Sequence, residues 1–385
     1  LTEPFTSPRG TGSAICTVST RSHLGFALAL LRSAQVHAPR AGRFLLLVDD
    51  PDGAVDLGPL ATILRPPDVV GADLFAELVY KYNAAELCFA LKPPLLARLL
   101  ELGFGQAHYL DGDTWLVGDF ELVERRLRNA NIQLTPHLRA PLPLDGRNPT
   151  ELSLLRAGTY NAGYVGVARS DVARRFLDWW AQRVRRWGIN EPRFGMSGDQ
   201  KWLDPVPNLF PGVVINPDPG VNAAYWNLSG HRLERRGTTV TVDGQPLVLL
   251  HLSGFDPEVP DVLSKFQNRI DSTHHAIIAD LLHSYANEVL ASEHRRWTVQ
   301  PYAYKRWWHS RFLPVRVARA LLFNYRESRV NRTAQQTPPP PIEAEAAIGA
   351  EVLARGSNHL ASEPEAVVRG DASSADAKSL HAAAR

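Results

Sequence analysis

Cysteine is nearly missing from this sequence: Cys16 and Cys88 are the only two in 385 residues. Two thiols make neither a disulfide framework nor a zinc-finger spacing, and the sequence leaves open whether they pair. A reducing cytoplasm is the expected compartment. Long apolar runs are missing too. The longest near the start, Leu24 to Leu31, stops at Arg32 and is too short to span a bilayer. No signal-peptide pattern is visible. The first residue is Leu rather than Met, which predicts a processed chain or a piece of a longer one. Neither sign of charge is in excess. Lys and Arg number 42 against 40 Asp and Glu, a formal net charge of +2, so no global field argues for nucleic acid as a partner. There is no internal repeat. What is present, 44% apolar and 21% charged residues, is a globular composition, long enough for one large domain with additions or two modest ones.

Ala14 to Val18 reads as a buried strand, Leu24 to Ala34 as a helix, and Phe44 to Val48 as a second buried strand closed by the turn Asp49-Asp50-Pro51-Asp52-Gly53. That β-α-β opening favours an α/β sheet. Ala84 to Leu102 carries apolar residues at helical spacing, with Gly103 as a stop signal. Pro93 and Pro94 interrupt it, which predicts a helix that begins near Lys92. Ala107 to Leu110 is a short strand that leads into Asp111-Gly112-Asp113. Tyr164 to Val167 is another, and Asp171 to Trp187 is an amphipathic helix with an acid at its start. Gly212 to Ile215, Thr238 to Val242 and Pro246 to Leu250 read as strands, the last running into His251.

After about residue 270 the pattern is helical. From His294 to Thr333 there are ten Lys or Arg, one acid (Glu327) and six interleaved Trp or Tyr. From Ala334 the composition turns to Ala, Ser, Pro and Glu with a Pro338 to Pro341 run, the signature of a disordered linker. The expected organisation is an α/β domain over 1–270, a basic, aromatic helical extension over 271–333, and a disordered Pro/Ala/Ser-rich tail or linker over 334–385.

Chemistry concentrates at Asp111 and Asp113. In extended chain, positions i and i+2 point to one side, and Gly112 between them lets the backbone turn and a ligand approach closely. Two carboxylates on one side suit a hard divalent cation that bridges diphosphate oxygens, and the carboxyl end of a strand is where open α/β sheets place ligands. Alone, the pair says little: a chain of this composition holds about one Asp-x-Asp by chance. Asp50-Pro51-Asp52 is a second instance, and its neighbours read as a solvated turn.

Order separates the two. His108-Tyr109-Leu110-Asp111-Gly112-Asp113-Thr114 resembles the Tyr-Leu-Asp-x-Asp segment of GT-A fold glycosyltransferases, especially family 8, the group of glycogenin and bacterial galactosyltransferases. Tyr160 to Val167 is similar to that family's Asn-Ala-Gly strand, Gly198-Asp199-Gln200 to its Asp-Gln pair, and His251-Leu252-Ser253-Gly254 to its His-x-x-Gly. All four come in family order across roughly residues 13 to 270. Lys201 to Asp204 and Ala224 to Asn227 resemble segments of uncharacterised bacterial relatives.

The resemblance implies a GT-A α/β fold, a mixed sheet flanked by helices and followed by a C-terminal helical extension. It also implies roles. Asp111, Asp113 and His251 would hold the metal, with Asp111 also near the ribose. Thr17 and Ser19 would meet the nucleoside, Lys92 the phosphates, and Asn161, Asp199 and Gln200 the sugar and reacting carbon, with Asp199 and Gln200 as the catalytic pair. Trp226 and Asn227 would sit near a sugar. An imidazole beside two carboxylates tilts the choice toward Mn²⁺ over Mg²⁺. The donor would be a nucleoside-diphosphate sugar, transferred with retention to a glycan or lipid-linked acceptor in bacterial surface-polysaccharide assembly. Two departures stand out. Phe255-Asp256-Pro257 follows Gly254, so the first lysine after it is Lys265, and Lys201 occupies the place of a further family Asp.

Two other functions compete. Asp111-Gly112-Asp113-Thr114 approaches the Asp-x-Asp-Gly-Thr motif of aspartate-nucleophile phosphatases, but Thr114-Trp115 stands where Gly-Thr is wanted. A non-catalytic nucleotide- or glycan-binding module is the other, against which Asp111, Asp113 and His251 argue. The stretch 294–333 reads as a helical cap, as a contact with an anionic membrane surface at its cytoplasmic face, or, least well supported, as a nucleic-acid patch without a recognised module.

Overall fold

The computed structural model describes residues 12–192, 195–306, 309 and 318. The chain divides into two units, residues 1–317 and 318–385. The tail over 334–385 and nearly all of the basic stretch beyond 306 lie outside the described residues.

The first unit opens with β1 (Ser13–Ser19), α1 (Leu24–His37), β2 (Gly42–Leu47) and β3 (Thr62–Leu64), then α2 (Pro66–Val70), α3 (Ala72–Lys81) and α4 (Ala84–Glu101). Next come β4 (Gln106–Leu110), β5 (Thr114–Leu116), α5 (Glu121–Leu127), β6 (Ile132–Pro136), α6 (Glu151–Ala157), β7 (Tyr160–Ala168) and α7 (Asp171–Trp187). A two-stranded ribbon, β8 (Asn190–Glu191) with β9 (Met196–Ser197), precedes α8 (Val206–Leu209), β10 (Val213–Ile215) and β11 (Val221–Ala224). A meander of β12 (Leu233–Arg236), β13 (Thr239–Val242) and β14 (Gln245–Pro246), then β15 (Leu249–His251), α9 (Ala276–Ala291) and α10 (His294–Thr298), complete the described elements.

The central sheet has seven strands in the order β10-β6-β7-β4-β1-β2-β3. β1, β2, β3 and β4 run parallel, and β7 alone runs against its neighbours β4 and β6. This is a mixed α/β architecture with a mostly parallel sheet flanked by helices, as expected. Strands buried on both faces explain the unbroken apolar run Leu45 to Leu47 in β2. A second sheet, β11-β15-β5, lies beside the carboxyl end of β4. In it His251 pairs with Thr114, directly after the Asp111–Asp113 turn.

Two expectations need correction. The helix through Pro93 and Pro94 does not begin near Lys92; α4 is continuous from Ala84. Asn83 caps it, accepting from the Glu86 N–H while the Glu86 side chain accepts from the Asn83 N–H. This capping box starts the helix two turns upstream. Buried Leu87, Leu91, Leu95, Leu96 and Leu99 then hold it across the prolines, packing that outweighs two lost rungs. The strand expected over Pro246 to Leu250 is two strands in different sheets. Pro246 ends β14 in the meander, and the chain crosses to β15 at Leu249. A proline carries no N–H with which to continue a ladder.

α9 packs its Leu281, Leu282, Tyr285 and Val289 into one cluster with Val242, Leu247 and Leu250. α10 buries His294 against Phe26, with ring centroids 4.9 Å apart. Residues 276–298 therefore cap the α/β unit. Among the described residues no helix is long and apolar enough to cross a membrane.

Candidate functional site

Asp111 leaves β4, and the Thr114 N–H donates to its carbonyl at 3.0 Å, closing a four-residue turn. The two carboxylates therefore converge through a turn, not through strand alternation as expected. Gly112 has no left-handed φ, and a Cβ there would touch Ala27 only at 3.7 Å; the turn does not demand glycine. The Leu252 N–H donates to the Asp113 carbonyl at 2.9 Å, and the β15–β5 register brings His251 across. Its Nε2 lies 3.3 Å from Asp113 Oδ1 and 4.0 Å from Asp111 Oδ2. Burial works against the Asp113 carboxylate, yet His251 beside it holds its pKa below the usual range. Ligand atoms of Asp111, Asp113 and His251 all lie within 4.8 Å of one another. Two carboxylate oxygens and one imidazole nitrogen form a donor set that fits Mn²⁺ or Mg²⁺.

Behind this group lies Lys92, 1% exposed. Its ammonium pairs with Asp111 Oδ1 at 3.0 Å and Asp199 Oδ2 at 2.9 Å, and donates to the Ala162 carbonyl at 3.2 Å. Three partners use its three N–H bonds. Burial pushes the Lys92 ammonium down, but Asp111 and Asp199 outweigh it and hold it above its ordinary range. Asp199 moves the other way. Burial first, then the charge of Asp111, raise it to about 6 against the pull of Lys92. Tyr109 donates to Asp111 Oδ1 at 2.7 Å. Burial and the Asp111 charge keep that phenol protonated, well above its usual pKa.

A web of amides connects the remaining residues. Asn161 Oδ1 accepts from the Gly163 N–H at 2.9 Å and from Asn222 Nδ2 at 3.0 Å. Its Nδ2 contacts Gln200 Oε1 at 3.0 Å and His137 Nε2 at 3.1 Å. Gln200 Oε1 also accepts from the Ala162 N–H at 3.0 Å, and Gln200 Nε2 donates to the Ala157 carbonyl at 3.2 Å. Asn222 Oδ1 meets His251 Nδ1 at 3.0 Å. The strand matching the Asn-Ala-Gly motif has a steric reason for its glycine: a Cβ on Gly163 would sit 2.1 Å from His251 Cε1. Gly198, before Asp199, has φ +54°, and a Cβ there would strike Phe89 at 2.4 Å.

Ser19, Lys92, Asp111, Asp113, Asn161, Asp199, Gln200 and His251 line one cleft of about 660 Å³ at the carboxyl ends of β1 and β4. Thr17 does not join them; it is fully buried within β1. Trp226 lines the cleft and packs edge-on against His251, centroids 5.0 Å apart. Asn227 instead braces its own turn, accepting from the Ala224 N–H and donating to the Asn222 carbonyl. Asp50 is buried and holds its loop through the Ala54 and Val55 N–H groups and Arg65, while Asp52 is exposed. Asp50 is thus a structural brace, not part of a solvated turn. Among the described residues, the one group able to hold a metal is Asp111, Asp113 and His251. Sequence reasoning gave no role to His23, His137 and Tyr225, which line the cleft, or to Asn222, which bonds His251. Tyr225 sits in the Ala224 to Asn227 segment, but no motif marks His23, His137 or Asn222.

No family model matches the chain. It is 28% identical over 250 residues to the uncharacterized protein YfnF of Bacillus subtilis (strain 168), which covers 63% of this chain and 82% of that one. The fold is similar to galactosyltransferase LgtC in complex with donor and acceptor sugar analogs, with TM-score 0.42 and 13% identity over 71% of this chain and 99% of that one. It is also similar to the bifunctional glycosyltransferase WbbM in its apo form, with TM-score 0.43 and 11% identity over 75% of this chain and 53% of that one.

Proposed function

We propose that this chain is a GT-A type glycosyltransferase that takes a sugar from a metal-held nucleoside-diphosphate donor. The observation that carries the reading is the meeting, in one cleft, of the Asp111, Asp113 and His251 donor set with the Lys92–Asp199 pair. These residues come from motifs spread over 160 positions (92 to 251), and chance does not gather them at the carboxyl end of the sheet. When bound, a divalent ion supplies Lewis-acid neutralisation of the diphosphate leaving group.

The chain's own residues divide the remaining work. Lys92 pairs with Asp111 and Asp199 at once, and its charge offsets the repulsion between the two carboxylates. Asp199, buried and ionised above about pH 6, offers a carboxylate to the charge that develops at the anomeric carbon. Gln200 and Asn161 form a rigid wall, since nearly all their polar atoms are already bonded within the protein. Ser19 lies where β1 ends, on the side that would face the nucleoside. In this reading anomeric configuration is retained and the acceptor is a glycan or lipid-linked glycan. The basic stretch 294–333 would then meet an anionic membrane surface, and salt-sensitive flotation with anionic but not neutral vesicles is the expected result.

The test is nucleoside-diphosphate release from a panel of sugar donors, with Mn²⁺ and with chelator, followed by NMR of the product anomer. Release that requires Mn²⁺, with retention, supports the reading. No metal-dependent release from any donor in the presence of glycan acceptors would remove it.

A further inference from the structure

We infer that Asn222 sets the tautomer of His251 and is the positioning residue of the metal group. The inference rests on the proposed reading in one respect, that Asp111, Asp113 and His251 take a divalent cation. Oxygen and nitrogen of an amide are told apart only by their partners, and here the backbone decides. The Gly163 N–H can only donate, so the Asn161 atom 2.9 Å away is the oxygen. The Asn222 atom 3.0 Å from that oxygen must then be the amide nitrogen. Its other hydrogen goes to Thr135 Oγ1 at 2.7 Å. The remaining Asn222 atom is therefore an oxygen, 3.0 Å from His251 Nδ1, and an oxygen there can only accept. His251 Nδ1 carries the hydrogen, which leaves Nε2 as the ring nitrogen that faces Asp111 and Asp113.

A second backbone anchor gives the same answer. The Ala162 N–H donates to Gln200 at 3.0 Å, so that atom is Oε1, and the Asn161 atom that meets it at 3.0 Å is Nδ2. The other Asn161 hydrogen points at His137 Nε2, whose ring donates from Nδ1 to the Gly158 carbonyl at 2.7 Å. Each side-chain amide nitrogen in the web meets an acceptor.

The tautomer matters because an imidazole binds a cation only through an unprotonated nitrogen, and the hydrogen bond at the other nitrogen decides which one that is. Free histidine side chains favour hydrogen on Nε2, the wrong atom for this cleft. Asn222 reverses that preference. It does so from a β-bulge: the β11–β15 register shifts between Val221 and Ala223, and Asn222 between them has φ +58°. Asparagine tolerates this left-handed conformation, and the bulge aims a fully buried amide at the His251 ring on the neighbouring strand β15.

The experiment uses metal-free protein labelled with ¹⁵N-histidine, with His251 assigned by the His251→Ala variant. Long-range ¹H–¹⁵N correlation at alkaline pH should show His251 with a protonated Nδ1 and a pyridine-like Nε2. A wild-type ring protonated at Nε2 would overturn the inference, whatever the variants do. Asn222→Gly keeps the left-handed backbone and removes the amide. It should return His251 to the Nε2–H form and weaken Mn²⁺ binding by about 10–100-fold, the usual reach of such outer-shell contacts. Thr135→Val should leave the tautomer unchanged, because Asn161 still orients Asn222. Wild-type affinity and tautomer retained in Asn222→Gly would contradict the inference and leave the metal reading intact. Mn²⁺ affinity equal in wild type and His251→Ala would defeat the metal reading, while the NMR result would still decide the role of Asn222.

Discussion

Lys92 shows how far one side chain's surroundings reshape the role a motif suggests. Its position ahead of the Asp pair pointed to a phosphate contact, yet its three N–H bonds are spent on Asp111, Asp199 and the Ala162 carbonyl. Nothing in the sequence marks that saturation, because Ala162 and Asp199 are 70 and 107 positions away (162 − 92 and 199 − 92). The Asp111, Asp113 and His251 cluster was legible because its three residues sit in ordered motifs. Asn222 was not, since its task depends on a bulge and on a ring 29 positions downstream. At this scale the account predicts a differential result. Asp111→Asn, Asp113→Asn and His251→Ala should each lower metal-dependent nucleoside-diphosphate release on the order of 100-fold or more. Asp50→Asn with Asp52→Asn should leave turnover within a few-fold but lower unfolding free energy by about 2 kcal/mol, because buried Asp50 accepts two backbone N–H bonds beside Arg65. Urea unfolding and initial rates measure both.

The pH dependence also belongs to single residues. Asp199 is raised to about 6, so it takes up a proton as pH falls through 6, and kcat/KM should drop along an acid limb with an apparent pKa near that value. The limb should vanish from the residual activity of Asp199→Asn. For stability the sign is opposite. The folded chain binds this proton more readily than the unfolded chain, so the group's stabilising contribution is full below about pH 4 and is lost as pH rises through 6. Buried His108 and His137, held down by burial to about 3 and about 4, act in the contrary direction. Unfolding lets them protonate from about 6.5 downward, so their contribution is lost as pH falls.

Elements carry the geometry that motifs only suggest. β1, β2, β4, β7, β10, β13 and α7 were legible from apolar runs and spacing, whereas short strands such as β3, β5, β11 and β12 were not. α4 was misjudged because two prolines are strong local signals, while the Asn83–Glu86 box and the buried leucines act through capping and tertiary contact. Asn83→Ala should therefore cost about 1 kcal/mol, a loss a helix starting at Lys92 would not show, as chemical denaturation can establish. In β7 the glycine of the Asn-Ala-Gly run leaves room for the His251 ring. Gly163→Ala should displace that ring and weaken Mn²⁺ binding by roughly 10-fold or more with the fold retained, as calorimetric titration and circular dichroism would show.

At the scale of the molecule, the mostly parallel sheet delivers the carboxyl ends of β1 and β4 to one end, and the β11-β15-β5 sheet begins just beyond β4, across the Asp111–Asp113 turn. The α/β class follows from the β-α-β opening. The second sheet does not, because its three strands are only three or four residues long and come from distant parts of the chain. Yet it is this sheet that brings His251 and Asn222 to the turn. Helices α9 and α10 pack on the same unit, so the sequence change near residue 270 does not mark where packing stops.

Thermodynamic linkage between metal and nucleotide tests the central claim most directly. Mn²⁺ binding followed by electron paramagnetic resonance, with and without each nucleoside diphosphate, should show affinity at the protein rising about tenfold or more with the matching nucleotide. That gain should disappear in Asp113→Asn. Equal Mn²⁺ affinity in wild type and Asp113→Asn, unmoved by any nucleoside diphosphate, would contradict the account.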